Sequence, residues 1–358
     1  LTECASSGRN YSPEADGRQY TIRVEEDVPV GTSGITLERM TSSRGRRTQT
    51  AELEVQLLRE GIVESTHRVQ ATVCDDRGRT MLVAGSAETA TFVRSALKPF
   101  QALAVSTTGT LERYGLGDRD LAIMCSSHRG KIEQVRQVFN ILWRADIDPL
   151  MLQCPMPKGA KSPLEHNCSG KHAGMLAVCQ QRNWALGSYL QRSHPIQQLI
   201  LNKIAEILGM PADEFIGARD DCGAPTYFMQ LGQMATLYAR LASGNSLDLE
   251  RIIRAMVHHP ELIAAEGEFD TELMKLTEGE LVSKAGAEGI QCVGRVGEGL
   301  GLAIKALDGS RRAKYAVAVH VLKQMGWITP SVSEILSEQF LALGEVTRLE
   351  VSGDLSMI

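Results

Sequence analysis

The 358-residue sequence predicts an α+β domain built as a single sheet flanked by helices. Three observations carry the prediction: alternating apolar runs near both ends of the chain, helical periodicity through the middle, and no internal repeat. Strands that far apart in sequence have to meet in one sheet.

The first strands are expected from Leu53 onward. Leu53 to Arg68 leads into Val69-Gln-Ala-Thr-Val-Cys-Asp75, an alternating run that stops at the hairpin-like turn Asp75-Asp-Arg-Gly78 and resumes at Thr80-Met-Leu-Val83, which predicts two antiparallel strands. In Arg94-Ser-Ala-Leu-Lys-Pro-Phe-Gln-Ala102, Pro99 is compatible with a first helical turn, so a helix is expected to begin near Ser95. Leu121 to Cys125 reads as a strand or a buried helix, feeding the polar loop Ser126-Ser-His-Arg-Gly130. Residues 131 to 144 place Ile132, Val135, Val138, Phe139 and Leu142 at helical spacing. A connection containing Pro and Gly runs from Pro149 to Pro163. Ser169 is then expected to cap a helix reaching about Cys179, with Cys168 just before its start. Pro195 to Leu208 and Leu247 to His258 read as helices, and Tyr227 to Ala242 as another, with Pro225 in its first turn and Cys222 just ahead. Residues 279–290, Cys292-Val-Gly and Gly301 to Asp308 read as strands broken by glycines, followed by helices over Arg311 to Gln324 and Val332 to Leu343.

Composition bounds the class of function. At 43% hydrophobic and 5% aromatic the chain can build a substantial core, and a net charge of −5 with a pI near 6.0 supplies no basic field for nucleic acid or an anionic membrane. No apolar run approaches a membrane span and no signal-peptide core is visible, so a cytoplasmic location is expected. The eight widely spaced cysteines are then reduced thiols, with Cys74 and Cys179 in apolar runs as core residues. Residues 1–50 are rich in Ser, Thr, Gly, Arg and Glu and read as a flexible extension whose removal up to residue 39 leaves folding and activity unchanged; Met40 is a possible internal start.

Ser95 and Lys98 stand three positions apart at the expected helix start, a spacing that puts both side chains on one face. A neutral lysine there can take the proton of a serine attacking a carbonyl carbon, and the helix N-terminus favours the oxyanion that forms. On its own, Ser-x-x-Lys is more often a solvated serine beside a surface lysine.

The motif has company. Val63-Glu-Ser-Thr-His-Arg68, Arg94-Ser-x-x-Lys-Pro-x-Gln-Ala102, Ser127-His128, Cys168-Ser-Gly-Lys-His-x-Gly-Met-Leu176, Asp221-Cys-Gly-Ala-Pro225, Phe269-Asp-Thr271 and Lys284-x-Gly-Ala-Glu-Gly289 follow in one order. Together they resemble the asparaginase II family, the rhizobial-type L-asparaginases, from about Glu52 to Leu349. The resemblance implies a fold like that of serine β-lactamases and penicillin-binding proteins, over one catalytic domain at 51–358. It implies Ser95 as nucleophile, Lys98 as general base, and Ser127 and Lys284 as assistants. It also implies a zinc-binding cluster of Cys168, Lys171 and Cys222, with the acidic Asp220 nearby. Arg94, His128 and Asp220 are expected to contact substrate. Two departures stand out: Lys131 occupies a position expected to be acidic, and the sequence Asp220-Asp221-Cys222 stands where Asp-Gly-Cys is common.

On this reading the chain hydrolyses L-asparagine to L-aspartate and ammonia. Its expected partners are that substrate and a second copy of the chain, with no nucleic acid or membrane, and Zn2+ is not needed for the chemical step. Physically, Ser127 can relay a proton, and a second cation at Lys284 can attract a carboxylate while disfavouring charge on Lys98. Two thiols 54 positions apart are no zinc finger, and a lysine ligand must first lose its proton. Two rival readings are a penicillin-recognising serine acyl enzyme and a non-catalytic zinc or redox sensor built on Cys168 and Cys222.

Overall fold

The alternating N-terminal run folds into three strands, β1 (Leu53–Arg59), β2 (Ile62–Asp75) and β3 (Thr80–Ala84), in a computed structural model that describes residues 49–358. Residues 1–48 of the expected extension lie outside the described residues. The turn between β1 and β2 falls at Glu60 and Gly61, both with positive φ. The next turn is the expected one: the Asp75 carboxylate accepts the N–H groups of Arg77 (3.1 Å) and Arg79 (2.8 Å), while Gly78 takes φ +82°.

The middle of the chain comprises β4 (Ala90–Phe92), a 3-10 helix at Arg94–Leu97, α1 (Lys98–Ser106), α2 (Thr110–Tyr114), α3 (Asp118–Cys125), α4 (Ile132–Arg144), α5 (Ser169–Gln181), α6 (Pro195–Leu208), β5 (Gly217–Arg219), β6 (Pro225–Gln230), α7 (Leu231–Ala242), α8 (Leu247–His258), α9 (Pro260–Ile263) and α10 (Phe269–Leu276). Then follow β7 (Leu281–Ala285), β8 (Ile290–Arg295), β9 (Leu300–Ala306), α11 (Arg311–Gln324), α12 (Pro330–Phe340), β10 (Thr347–Ser352) and β11 (Ser356–Met357).

Both ends of the chain meet in one antiparallel sheet ordered β10-β1-β2-β9-β8-β7, with β3 paired to β2 and β11. The joint between the two halves is β2 against β9, in the register Val69↔Ala306 and Ala71↔Ile304. Period-two alternation divides these strands between two cores. Leu281, Val293, Leu302 and Ile304 face a cluster with Phe269, Tyr315 and Leu336 of α10, α11 and α12. Their neighbours Val282, Cys292 and Ala303 face the larger cluster formed with α1 and α3–α8. The result is the expected α+β architecture, a sheet with helices on both faces.

The structure alters four local expectations. Pro225–Gln230 is a strand, paired with β4 and β5 in a small second sheet, and the helix starts only at Leu231. A short apolar run with aromatic and β-branched members suits either element, and here a waiting pair of edges decides. Cys222 accordingly sits in the turn between β5 and β6, not before a helix. Cys168 is the N-cap of α5 and makes no side-chain capping bond; the Ser169 hydroxyl is drawn instead to the Leu164 carbonyl (2.7 Å). In α4 the buried face is Gln134, Val138, Ile141 and Leu142, which leaves Ile132 and Phe139 exposed. The run Leu121–Cys125 resolves as the buried half of α3. All seven described cysteines are free and buried. No described helix is long and apolar enough to cross a membrane.

Candidate active site

Ser95 lies in the 3-10 turn that leads into α1, half-buried, and Lys98 is the first residue of α1, fully buried. Pro99 follows at a first-turn position, as its missing N–H allows. Arg94, immediately before Ser95, has φ +52°, a left-handed conformation that an arginine adopts at a cost. It is held there from both sides. Its backbone N–H donates to Thr226 Oγ1 (3.2 Å), and its guanidinium donates to Asp220 Oδ1 (2.7 Å) and to Asp221.

The i, i+3 spacing brings Ser95 and Lys98 to one helical start, and the lysine amine reaches the Ser126–Ser127 loop. Lys98 Nζ donates to the carbonyls of Ser126 and Asn167 (3.1 Å to the latter) and stands 3.0 Å from Ser127 Oγ. The lysine amine thus donates to three acceptors, two backbone carbonyls and the Ser127 hydroxyl.

The Ser127 loop leaves α3 and is pinned by its own N–H, which donates to Ile263 O (2.7 Å). His128 is buried, with Nδ1 accepting from Gly130 N–H (3.1 Å) and Nε2 meeting Ser169 Oγ (2.8 Å). Since Ser169 donates onward to Leu164 O, its oxygen is free to accept from Nε2–H, so the ring is neutral with its proton on Nε2. Burial, helped by Lys98 and His166, pushes His128 down to about 3, in keeping with that tautomer. Both ring nitrogens thus serve to brace the loop that carries Ser127.

Lys284 enters from β7, with no solvent exposure, and Nζ donates to Ala285 O (2.8 Å). Burial lowers it to about 8, against the pull of Asp270 and with the repulsion of Lys98. That mutual repulsion places two lysines of the predicted four-residue set in electrical contact.

Behind Arg94 the second predicted group converges. Lys171 Nζ donates to Cys222 Sγ (3.2 Å), and Cys168 packs with Cys222 in a buried cluster. A hydrogen bond from Cys168 pushes the Cys222 thiol down to about 5 against burial, with the Lys171 charge adding to the effect. Lys171 is raised in spite of burial, chiefly by the neighbouring Cys222 thiolate and by the Asp220 carboxylate. Asp220 Oδ2 lies 3.9 Å from Cys222 Sγ, and this carboxylate is held low, in spite of burial, by Lys171 and Arg94. The approach of α5 depends on Gly170: a Cβ there would fall 2.1 Å from the Ile123 carbonyl of α3. Only a glycine lets the two helices come this close.

Among the described residues no three His, Cys, Asp or Glu side chains gather to hold a metal. A zinc ion at Cys168 and Cys222 would therefore take the Lys171 nitrogen as its third ligand, with Asp220 adjacent. Two sulfurs, a nitrogen and a carboxylate suit zinc once the lysine proton is lost, so the donor set fits.

The structure brings Lys98, Ser127 and Lys284 together, with Ser95 in the turn just before Lys98, and gathers Cys168, Lys171, Cys222 and Asp220 in a second group, with Arg94 linking the Ser95 turn to it. It adds three that were not named. Asn167 contributes only a backbone carbonyl, for which side-chain identity carries no signal. Thr226 was hidden by the misplaced helix. Asp270 stood in plain view within Phe269-Asp-Thr271, but no spacing ties it to Lys284.

A search of curated proteins finds no match. Among solved structures the chain is similar to Mglu crystallised in its native form in 4.3 M NaCl, at 15% identity over 73% of this chain and 61% of that one, with a TM-score of 0.42. It is also similar to a β-lactamase from Mycobacterium bovis, at 12% identity over 76% of this chain and 95% of that one, with a TM-score of 0.35. The chain spans about three fifths of the length of Mglu. The sequence profile described as L-asparaginase II matches residues 55–357, a span that holds every residue of both groups, and the chain belongs to the L-asparaginase II family.

Proposed function

We propose that this protein is an L-asparaginase that uses Ser95 as nucleophile. The observation that supports it most is the buried Lys98 amine, whose N–H groups face two carbonyls while Ser127 Oγ lies 3.0 Å away. In this reading Ser95 Oγ attacks the side-chain amide carbon of asparagine, and its proton passes through the Ser127 hydroxyl to Lys98. The helical start at Ser95 favours the oxyanion. The proton then returns to the leaving nitrogen, ammonia departs, and an ester between Ser95 and the aspartyl group remains. Water, deprotonated by the same Lys98, hydrolyses the ester to aspartate and restores Ser95. Lys284 supplies a positive charge for the substrate carboxylate. Arg94, clamped by Asp220 and Asp221, keeps the turn before Ser95 in place.

A zinc ion held by Cys168, Lys171 and Cys222 would supply a positive centre for orienting substrate polar groups. The nucleophile is already present in Ser95. A cytoplasmic location and a homodimer belong to the same proposal, to be checked by cell fractionation and analytical ultracentrifugation.

The deciding experiment measures ammonia release from L-asparagine by the wild type and by Ser95→Ala. Release that depends on Ser95 supports the proposal; equal release, or none from the wild type, overturns it. Turnover of a chromogenic β-lactam in place of asparagine would point to a penicillin-recognising enzyme.

A further inference from the structure

Asp270 is a buried carboxylate that the reaction above does not use. It lies on α10, 2% exposed, against β7, which among the described residues pairs only with β8. Three donors converge on it at 2.8 Å each: Ser283 Oγ and Gln291 Nε2 on one oxygen, and the Ala285 N–H on the other. Its second oxygen also lies 3.7 Å from Lys284 Nζ. The flanking motif residues account for its placement. Phe269 stacks on Tyr315, with ring centroids 4.6 Å apart, and the Thr271 hydroxyl donates to Pro260 O (2.7 Å), which locks both sides of Asp270.

This arrangement does more than join a helix to a sheet edge. Lys284 carries no solvent exposure, and among the described residues its one hydrogen bond is to the Ala285 carbonyl. The groups around it come from every neighbouring element: Lys98 from α1, Cys125 from α3, Cys168 before α5, Cys292 from β8 and Lys314 from α11. Lys314 donates to the carbonyls of Gly286 (2.7 Å) and Ile290 (2.8 Å), and burial, with Lys284 nearby, lowers it to about 7. Among the described residues Asp270 is the only carboxylate in ion-pair range of Lys284. A buried ammonium without such a partner gives up its proton.

We propose that Asp270 is a positioning residue that holds Lys284 in the site as a charged ammonium. The inference rests on the proposed role of Lys284, but it concerns a property of Lys284 that can be read without any substrate.

The test is an NMR titration of the full chain carrying 13Cε-labelled lysine, with the Lys284 resonance identified by its loss in Lys284→Arg. In the wild type Lys284 should titrate near 8. In Asp270→Asn, which removes the charge and keeps the shape, the midpoint should fall by about one pH unit or more. Asp270→Glu should restore it, and Gln291→Met, which removes a neighbour but no charge, should leave it in place. Where asparagine is hydrolysed, the alkaline limb of kcat/KM should move down with the midpoint in Asp270→Asn. An unmoved midpoint in Asp270→Asn, or an equal shift in Gln291→Met, would overturn the assignment. So would a wild-type Lys284 still neutral at pH 6, an outcome readable even if Asp270→Asn does not fold. Absence of asparagine hydrolysis beside the expected titration would remove the proposed reaction and leave the Asp270 assignment standing.

Discussion

The guanidinium of Arg94 meets the carboxylate of Asp220 at 2.7 Å, and through this pair the turn that carries Ser95 is fastened to the Cys168, Lys171 and Cys222 group. The two side chains are 17% and 8% exposed, so the pair is largely withdrawn from water. A shift on one side of the contact is therefore felt on the other.

Replacing Arg94 tests that fastening. Arg94→Ala strips Asp220 of its guanidinium partner while keeping a Cβ at φ +52°, whereas Arg94→Gly strips the same partner but removes the backbone cost. Both should lose most activity, and the glycine variant should be the more stable by about 1 kcal/mol in chemical denaturation. Equal stabilities would mean that the left-handed turn stores no strain.

Lys98 touches Ser127, and Ser95 is one turn away, so the three should behave as one proton-handling unit. Ser95→Ala and Lys98→Ala should each lower asparagine hydrolysis by several orders of magnitude, with the double variant scarcely worse than either. Ser127→Ala should also fall sharply, and its loss should largely vanish in a Lys98→Ala background. Near-normal turnover by Lys98→Ala at neutral pH would show that another group accepts the proton.

Zinc content gives a third test. The purified protein should bind zinc, and Cys168→Ser and Cys222→Ser should each weaken that binding strongly, since only two thiols are available among the ligands. Chelation should chiefly raise KM and leave kcat largely intact. Zinc content indifferent to both substitutions would exclude the site; kcat abolished at unchanged KM would put the metal into the chemistry.

Cys222 should also leave a mark on stability in metal-free protein. Its thiol is depressed from 9.0 to about 5 on folding, so between those values the folded chain holds a thiolate where the unfolded chain holds a thiol. The contribution is fully present above 9, declines as pH falls, and is gone below about 5. Lys171, raised on folding, keeps its proton throughout this window. The stability advantage of the wild type over Cys222→Ser should accordingly narrow as pH is lowered from 9 to 5, in denaturation curves recorded at each pH. A gap independent of pH would mean that Cys222 stays protonated.

The elements whose signal is local and periodic are legible in the sequence alone. Leu302, Ile304 and Ala306 alternate with residues that face the opposite core, Arg311–Gln324 carries a helical pattern through to its end, and Asp75 and Gly78 mark a turn by their own chemistry. In each case near neighbours in sequence are near neighbours in space. The catalytic and thiol groups were legible for another reason, as residue types in a set order that resembles a family, and their roles came with the resemblance.

What only tertiary structure decided depends on partners distant in sequence. Pro225–Gln230 became a strand because β4 and β5 offer it edges, and Ser169 gave up a capping role to a carbonyl and a histidine from other segments. Lys98 turned toward Ser127 because the Ser126 and Asn167 carbonyls lie there, a pull that no i, i+3 rule contains. Asp270 shows the same limit most plainly: its residue type and motif are visible in the sequence, but the charge it faces is set 14 residues away on β7. Packing alone brings the two into the same dry interior, where each charge determines whether the other persists.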